Sequence, residues 1–207
     1  MSPPERIDRR VDAIVIGTSA GGVEALSVLL PALPAHLQAS VYIVLHLPSE
    51  PASLLAAIFG PKCLLPVREA RDKEEPQPGT VYFAPPDYHL LLEHGPYLAL
   101  SVDAAVHFSR PSIDVLFESA AEVYRERLLG IILTGANDDG AAGLEAVQRA
   151  GGMTMVQRPD SAQVPFMVLS ALKRSQPDFV LPLEQIGAVL HSLGAAVAAP
   201  PRVLLKG

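Results

Sequence analysis

The chain has 207 residues, of which 49% are hydrophobic and 18% are charged, and its formal net charge is -6 at pH 7. This length suits one globular domain, and the acidic balance argues against nucleic acid or an anionic membrane as the main partner. One cysteine, Cys63, excludes an internal disulfide and fits a reducing compartment. Because the sequence lacks an apolar leader and a membrane-length apolar run, we expect a cytoplasmic protein that does not insert into membranes.

The first informative segment is a glycine-rich turn between two apolar patterns. An apolar run over 11–16 predicts a buried strand, and Val23, Leu26 and Leu29 recur at helical spacing after the sequence GTSAGG at 17–22. Glycines around Ser19 permit a tight turn that exposes its hydroxyl at a helix N-terminus, which favours a nucleophile for acyl transfer. A phosphate or dinucleotide site is the alternative interpretation of such a turn.

The second strand ends in a base instead of an acid. Residues 41–45 form another buried run, and His46 follows it where a dinucleotide site would place a carboxylate for the ribose. Parallel strands that are neighbours along the chain are often neighbours in space, so Ser19 and His46 could meet at their carboxyl ends. A structural histidine that is satisfied by backbone groups is the alternative.

A third strand end supplies the carboxylate that an imidazole base needs. The run 129–133 predicts a strand, and Asp138 and Asp139 follow it. A carboxylate would fix the imidazole tautomer and stabilise its charged form, and we select Asp139 for this role. Capping of the helix that follows would explain either aspartate equally well from spacing alone.

The remaining elements predict an α/β fold. A short helix over 53–59 has its start signal at 49–51, and the proline-rich stretch 61–112 predicts small antiparallel strands and long loops at one rim of the cleft, with short runs at 80–84, 89–92 and 97–100. Strand and helix then alternate, with helices over 113–127 and 166–174, strands over 153–156 and 179–181, and a last helix through Ile186 and Leu190. We therefore expect a doubly wound, mainly parallel sheet with helices on both faces and a small antiparallel β insert. The domain would span 11–195, between a flexible N-terminus at 1–10 and a tail at 196–207.

Five blocks, in order, resemble a known family. They are the segments 16–22 (IGTSAGG), 44–48 (VLHLP), 81–90 (VYFAPPDYHL), 110–117 (RPSIDVLF) and 133–141 (LTGANDDGA). The chain resembles the catalytic domain of the chemotaxis protein-glutamate methylesterases, the CheB type. This resemblance implies that Ser19 is the nucleophile, His46 the general base and acid, and Asp139 the carboxylate of a catalytic triad.

The resemblance also implies a substrate and partners. A serine hydrolase of this type cleaves glutamate γ-methyl esters on methyl-accepting chemotaxis receptors, giving glutamate and methanol, and the same chemistry extends to deamidation of receptor glutamines. A methyltransferase or a separate receiver protein would be a further partner, and no cofactor or metal is implied. Two alternatives stay open: a non-catalytic module that docks on receptors or methyltransferases, and an esterase of another acyl substrate.

Three departures from the family pattern concern the pocket or its control. The family stretch Gly-Met-Gly-x-Asp is replaced by Gly-Ala-Asn-Asp-Asp at 135–139, and its Gly-Met-Pro by Phe-Met-Val at 166–168. Only about ten residues precede the first predicted strand, so we expect no receiver domain. Activity would then be constitutive or controlled by a separate partner.

A few other polar residues have predicted places. We expect His89 to be a structural histidine on an edge strand, whereas Arg110 and Ser112 would either bind a substrate carboxylate or cap the helix near Ile113. The other histidines show no metal-ligand spacing, and Cys63 lies in an apolar run that suggests a core position.

Overall fold

The structure is a computed structural model that describes residues 7–46, 54–95 and 97–193. These residues form nine strands: β1 (Ala13–Thr18), β2 (Ser40–Leu45), β3 (Val67–Glu69), β4 (Val81–Phe83), β5 (His89–Glu93), β6 (Tyr97–Ser101), β7 (Leu128–Ile132), β8 (Met153–Gln157) and β9 (Phe179–Leu181). The described residues also form six α-helices: α1 (Gly22–Leu29), α2 (Leu55–Phe59), α3 (Ile113–Tyr124), α4 (Ala141–Arg149), α5 (Phe166–Arg174) and α6 (Leu183–Ser192). The predicted start of the second helix, the N-terminal segment 1–6 and the predicted tail lie outside the described residues.

Seven strands form one parallel sheet in the order β3-β4-β2-β1-β7-β8-β9, and β5 and β6 pair as a separate antiparallel hairpin. The predicted doubly wound sheet with a small antiparallel insert is confirmed. The prediction for 80–84 is wrong, because this run becomes β4 and pairs in parallel with β2. Only three residues of the run pair with β2, which is too short a segment for its hydrophobic pattern to reveal the strand direction.

Apolar side chains cover both faces of the sheet. One cluster joins the sheet to α1, α2 and α6 through residues such as Leu26, Phe59 and Ile186, and Cys63 packs partly buried against it, as the apolar run suggested. The other joins the sheet to α3, α4, α5 and the hairpin through residues such as Phe117, Leu144 and Leu90. Burial on both faces explains why β1 and β2 read as continuous apolar runs.

The strand order reverses at the centre of the sheet, where β1 lies between β2 and β7. Chain connections run outward in both directions from this point, so the loops after β1, β2 and β7 leave a crevice between them. Open α/β sheets bind ligands in such a crevice. Among the described residues, no helix has both the length and the apolar character needed to cross a bilayer.

Candidate active site

Ser19 and His46 lie side by side at the carboxyl ends of neighbouring strands. Thr18 is in register with Leu45 on the next strand, and the His46 N-H donates to the Thr18 carbonyl at 3.0 Å. Ser19 and His46, which directly follow Thr18 and Leu45, therefore leave the sheet at the same height along the strands. The Ser19 hydroxyl makes no hydrogen bond with any described residue, and its side chain is half-buried.

Thr134, two residues after the end of β7, fixes the turn that carries Ser19. Its carbonyl accepts from the Ser19 N-H at 3.1 Å and from the Thr18 hydroxyl at 2.8 Å, while its own hydroxyl donates to the Ala20 carbonyl at 2.8 Å. Gly21 then takes φ of 80°, a left-handed conformation that favours glycine, before α1 begins. These bonds tie the serine turn rigidly to the central strands.

His46 reaches across to Asp139. The imidazole Nε2 lies 3.0 Å from Asp139 Oδ2, although the carboxylate lies off the N-H direction that a straight hydrogen bond requires. The Asp139 side chain is fully buried, and that of His46 is 11% exposed. The structure thus brings the predicted base and the predicted carboxylate into contact at one edge of the sheet, level with Ser19.

Asp139 is held by the N-terminus of α3 and does not cap its own helix α4. The Ser112 hydroxyl and the Asp114 N-H each donate to Oδ1 at 2.9 Å, and the Ile113 N-H donates to Oδ2 at 2.7 Å. Burial opposes ionisation, but the adjacent His46 imidazole and the N-H donors of Asp114 and Ile113 outweigh it and lower the pKa of the Asp139 carboxyl. The carboxylate is therefore charged and immobile at neutral pH.

Asp114 makes the reciprocal contact. This residue in the first turn of α3 accepts at Oδ1 from the Gly140 N-H at 2.9 Å and the Gly143 N-H at 2.6 Å, at the start of α4. Each helix N-terminus thus holds a carboxylate that belongs to the other segment. Burial raises the pKa of Asp114 to about 6, and the neighbouring charge of Asp139 adds to this effect.

Replacing Asp114 with asparagine is expected to flatten the pH dependence of stability. Because the folded-state pKa lies above the ordinary value of about 3.9, this carboxyl stabilises the fold below pH 4 and loses that contribution as the pH rises through 6. Between pH 4 and 7 the wild type should lose about 2–3 kcal/mol relative to Asp114→Asn. Urea unfolding at several pH values measures this difference, with exposed Asp87→Asn, which lies away from this cluster, as control. Parallel pH curves for wild type and Asp114→Asn would contradict it.

The side chain of the adjacent Asp138 is linked to this network only through His107. Its side chain is 59% exposed, and its Oδ1 lies 3.3 Å from Nδ1 of His107, whose Nε2 is 3.4 Å from Asp114 Oδ2. The two aspartates that spacing could not distinguish therefore point in different directions, one into the site and one toward solvent.

The other polar residues singled out from the sequence, His89, Arg110 and Ser112, hold the loops and the helix start beside the site. His89 lies on β5, nearly fully buried, where its Nδ1 accepts from the Ser112 N-H at 3.1 Å and its Nε2 lies 3.1 Å from the Ala104 carbonyl oxygen. Arg110 donates to the carbonyls of Val102 and Asp103, and so braces a loop. Ser112 caps α3, as one alternative proposed, but its hydroxyl also donates to Asp139.

Sequence reasoning gave no role to two residues that shape the site. Gln157 accepts from the Thr134 N-H at 2.9 Å, and the Asn137 amide Nδ2 lies 3.2 Å from His46 Nδ1. No spacing rule marks either residue, although Asn137 stands at one of the departures from the family pattern. Within the described ranges, no group of three or more His, Cys, Asp or Glu side chains is arranged to hold a metal ion.

Comparison with known proteins identifies a family that this chain matches. The sequence model of the CheB methylesterase family matches residues 14–190. A Leptospira interrogans protein, provisionally named protein-glutamate methylesterase/protein-glutamine glutaminase, is 46% identical over 88% of this chain and 94% of its own length. A Symbiobacterium thermophilum protein with that name is 37% identical over 92% of this chain but only 52% of its own length.

A solved structure agrees with the sequence comparison. The crystal structure of the Thermotoga maritima CheB methylesterase catalytic domain superposes with a TM-score of 0.84 at 33% sequence identity. The alignment covers 89% of this chain and the whole of that domain. The sheet, the helices and the hairpin insert therefore follow the arrangement of a catalytic domain.

Proposed function

Because this chain belongs to the CheB methylesterase family, we propose that it hydrolyses glutamate γ-methyl esters on chemoreceptors, giving glutamate and methanol. Deamidation of receptor glutamines is part of the same proposal, since an acyl-enzyme formed from an amide is the same species. The observation that carries the proposal is the contact of His46 with buried Asp139, level with Ser19 at the ends of β1, β2 and β7.

In the proposed mechanism, Ser19 Oγ attacks the ester carbonyl while His46 takes its proton. Since Nε2 faces Asp139, the proton goes to Nδ1. Collapse of the tetrahedral intermediate transfers that proton to the departing methoxide, which leaves as methanol, and Ser19 keeps the glutamyl group as an ester. Water then attacks this ester with His46 again as base, so the products are glutamate and free Ser19.

Backbone N-H groups at the serine turn are suited to hold the oxyanion. The Ser19 N-H is committed to Thr134, but those of Ala20 and Gly21 donate to no acceptor among the described residues. Both precede the first turn of α1, whose N-terminus favours negative charge. Two such donors would stabilise the developing charge on the substrate oxygen.

Asp139 would stabilise the imidazolium that forms during the attack. Its charge is secured by donors that do not take part in the reaction, namely the hydroxyl of Ser112 and the N-H groups at the start of α3. A carboxylate held in this way needs no rearrangement when His46 becomes charged. This preorganisation lowers the barrier in the manner expected for a triad.

Methanol release from receptor membranes with labelled methyl esters tests the function. We expect release by the wild type well above the background of membranes alone, together with ammonia release from unmethylated receptors that carry glutamine. Hydrolysis of simple esters without methanol release would instead support an esterase of another acyl substrate. Absence of both activities would support a docking module, which the altered loop at 136–138 motivated.

A further inference from the structure

Asn137 contacts the imidazole on the side opposite the carboxylate. Its Nδ2 lies 3.2 Å from His46 Nδ1, while Asp139 Oδ2 lies 3.0 Å from His46 Nε2. Both ring nitrogens therefore contact residues of one loop, Asn137 and Asp139, which are two positions apart in the sequence. Asn137 Nδ2 also lies 3.5 Å from the Ser109 hydroxyl oxygen, which fits the second hydrogen of the same amide.

These contacts together select one tautomer of His46. A carboxylate accepts only, so Nε2 must carry the hydrogen and Nδ1 must carry the lone pair. An amide nitrogen donates only, which matches that lone pair. The reversed amide would place its oxygen against Nδ1 and would require a hydrogen there, leaving the base without a free electron pair.

The amide oxygen shows that this orientation has an energetic cost. Asn137 Oδ1 is buried and makes no hydrogen bond with any described group. An unpaired buried acceptor is destabilising, so the orientation depends on what the nitrogen contacts. The contacts available to Nδ2 are the His46 imidazole and the Ser109 hydroxyl.

The contact between His46 and Asp139 makes a second constraint useful. The carboxylate lies near Nε2 but off the N-H direction, so it fixes the ring less strictly than a straight hydrogen bond would. An amide donor at Nδ1 restricts ring rotation and tautomer exchange from the other side.

We propose that Asn137 is a positioning residue that holds His46 in the tautomer with Nε2-H toward Asp139 and an unprotonated Nδ1, whose lone pair accepts from the Asn137 amide. The inference rests on the proposed function for the role of His46 as base. Asn137 lies outside the path of the proton: the Ser19 hydroxyl replaces the amide at Nδ1 when the substrate is attacked. Its contribution is to keep that electron pair aligned until then.

Imidazole nitrogen shifts of substrate-free protein test the tautomer directly. The protein is labelled with ¹⁵N-histidine, and His46→Gln identifies the His46 signals among six histidines. At pH 8.5, well above the ordinary imidazole pKa of about 6.5, we expect a protonated Nε2 and an unprotonated Nδ1 in the wild type. Asn137→Ala should give a tautomer mixture, and Asn137→Asp should move a proton to Nδ1. An unchanged pattern in both variants would overturn the proposal.

Kinetics supply the second measurement, with Asp138→Asn as the matched control in the same loop. For Asn137→Ala we expect kcat to fall about 3- to 10-fold with KM within twofold, as befits one neutral hydrogen bond. Asn137→Asp should lose at least about 10-fold at pH 7 and recover part of it at higher pH, because an added carboxylate favours the protonated ring. Unchanged kcat and pH profiles in both variants would overturn the proposal. If the wild type releases no methanol, the proposed function fails while the nitrogen shifts still decide the role of Asn137.

Discussion

Replacing Ser19 with alanine is expected to abolish methanol release while leaving the fold intact. Loss of the nucleophile removes the acyl-enzyme route, and in serine hydrolases this reduces kcat by roughly 10⁴- to 10⁶-fold. The Ser19 hydroxyl makes no hydrogen bond with any described residue, so the free energy of unfolding should change by less than about 0.5 kcal/mol. The measurements are methanol release and urea unfolding on the same preparation.

Ser27→Ala is the matched control for this variant. Ser27 is also half-buried, lies on α1, the helix that follows the turn, and has no side-chain hydrogen bond within the described residues. It should keep wild-type methanol release. Equal release by the wild type and Ser19→Ala would contradict the nucleophile, and equal loss in both serine variants would indicate damage to α1 instead of loss of chemistry.

Much of the fold could be predicted from the sequence, because the buried strands have a distinctive apolar pattern. β1 and β2 read as apolar runs since helices cover both faces of the sheet, and the glycine-rich turn marks the change from strand to helix. β3 was not predicted, and the run that forms β4 was predicted as an antiparallel strand. They are three residues long and lie in a proline-rich stretch, so their parallel pairing is set by the sheet they join.

Local sequence patterns predicted two of the three proposed catalytic residues, Ser19 and His46. Ser19 and His46 each follow a recognisable strand, whereas spacing gave no reason to prefer Asp139, the selected residue, over Asp138, and the family resemblance supplied that reason. The hydrogen bonds from the N-terminus of α3 to Asp139 require that α3 packs closely against α4. A Cβ on Gly143 would lie 2.6 Å from Phe117 Cβ and 3.0 Å from the Asp114 backbone, so the glycine permits this approach. Such packing has no signature in spacing along the chain.

Replacing Asp139 with alanine is expected to reduce both activity and stability. Methanol release should fall by about 10⁴-fold, because the imidazolium loses its counter-charge and His46 loses one of its two constraints. The variant also leaves the Ser112 hydroxyl and the N-H groups of Ile113 and Asp114 without their acceptor in a buried place. We expect the free energy of unfolding to fall by roughly 2–4 kcal/mol at pH 7.

The pH dependence of this loss separates the carboxylate from simple packing. Because the folded-state pKa of Asp139 lies below its ordinary value, its charge stabilises the fold above about pH 4, and this contribution disappears as the pH falls through the lowered pKa. The difference in unfolding free energy between wild type and Asp139→Ala should therefore shrink in acid. Asp138→Ala, at the exposed neighbouring position, should change stability by less than about 0.5 kcal/mol at any pH. A pH-independent difference for Asp139→Ala would show that lost packing, and not the buried charge, accounts for the effect.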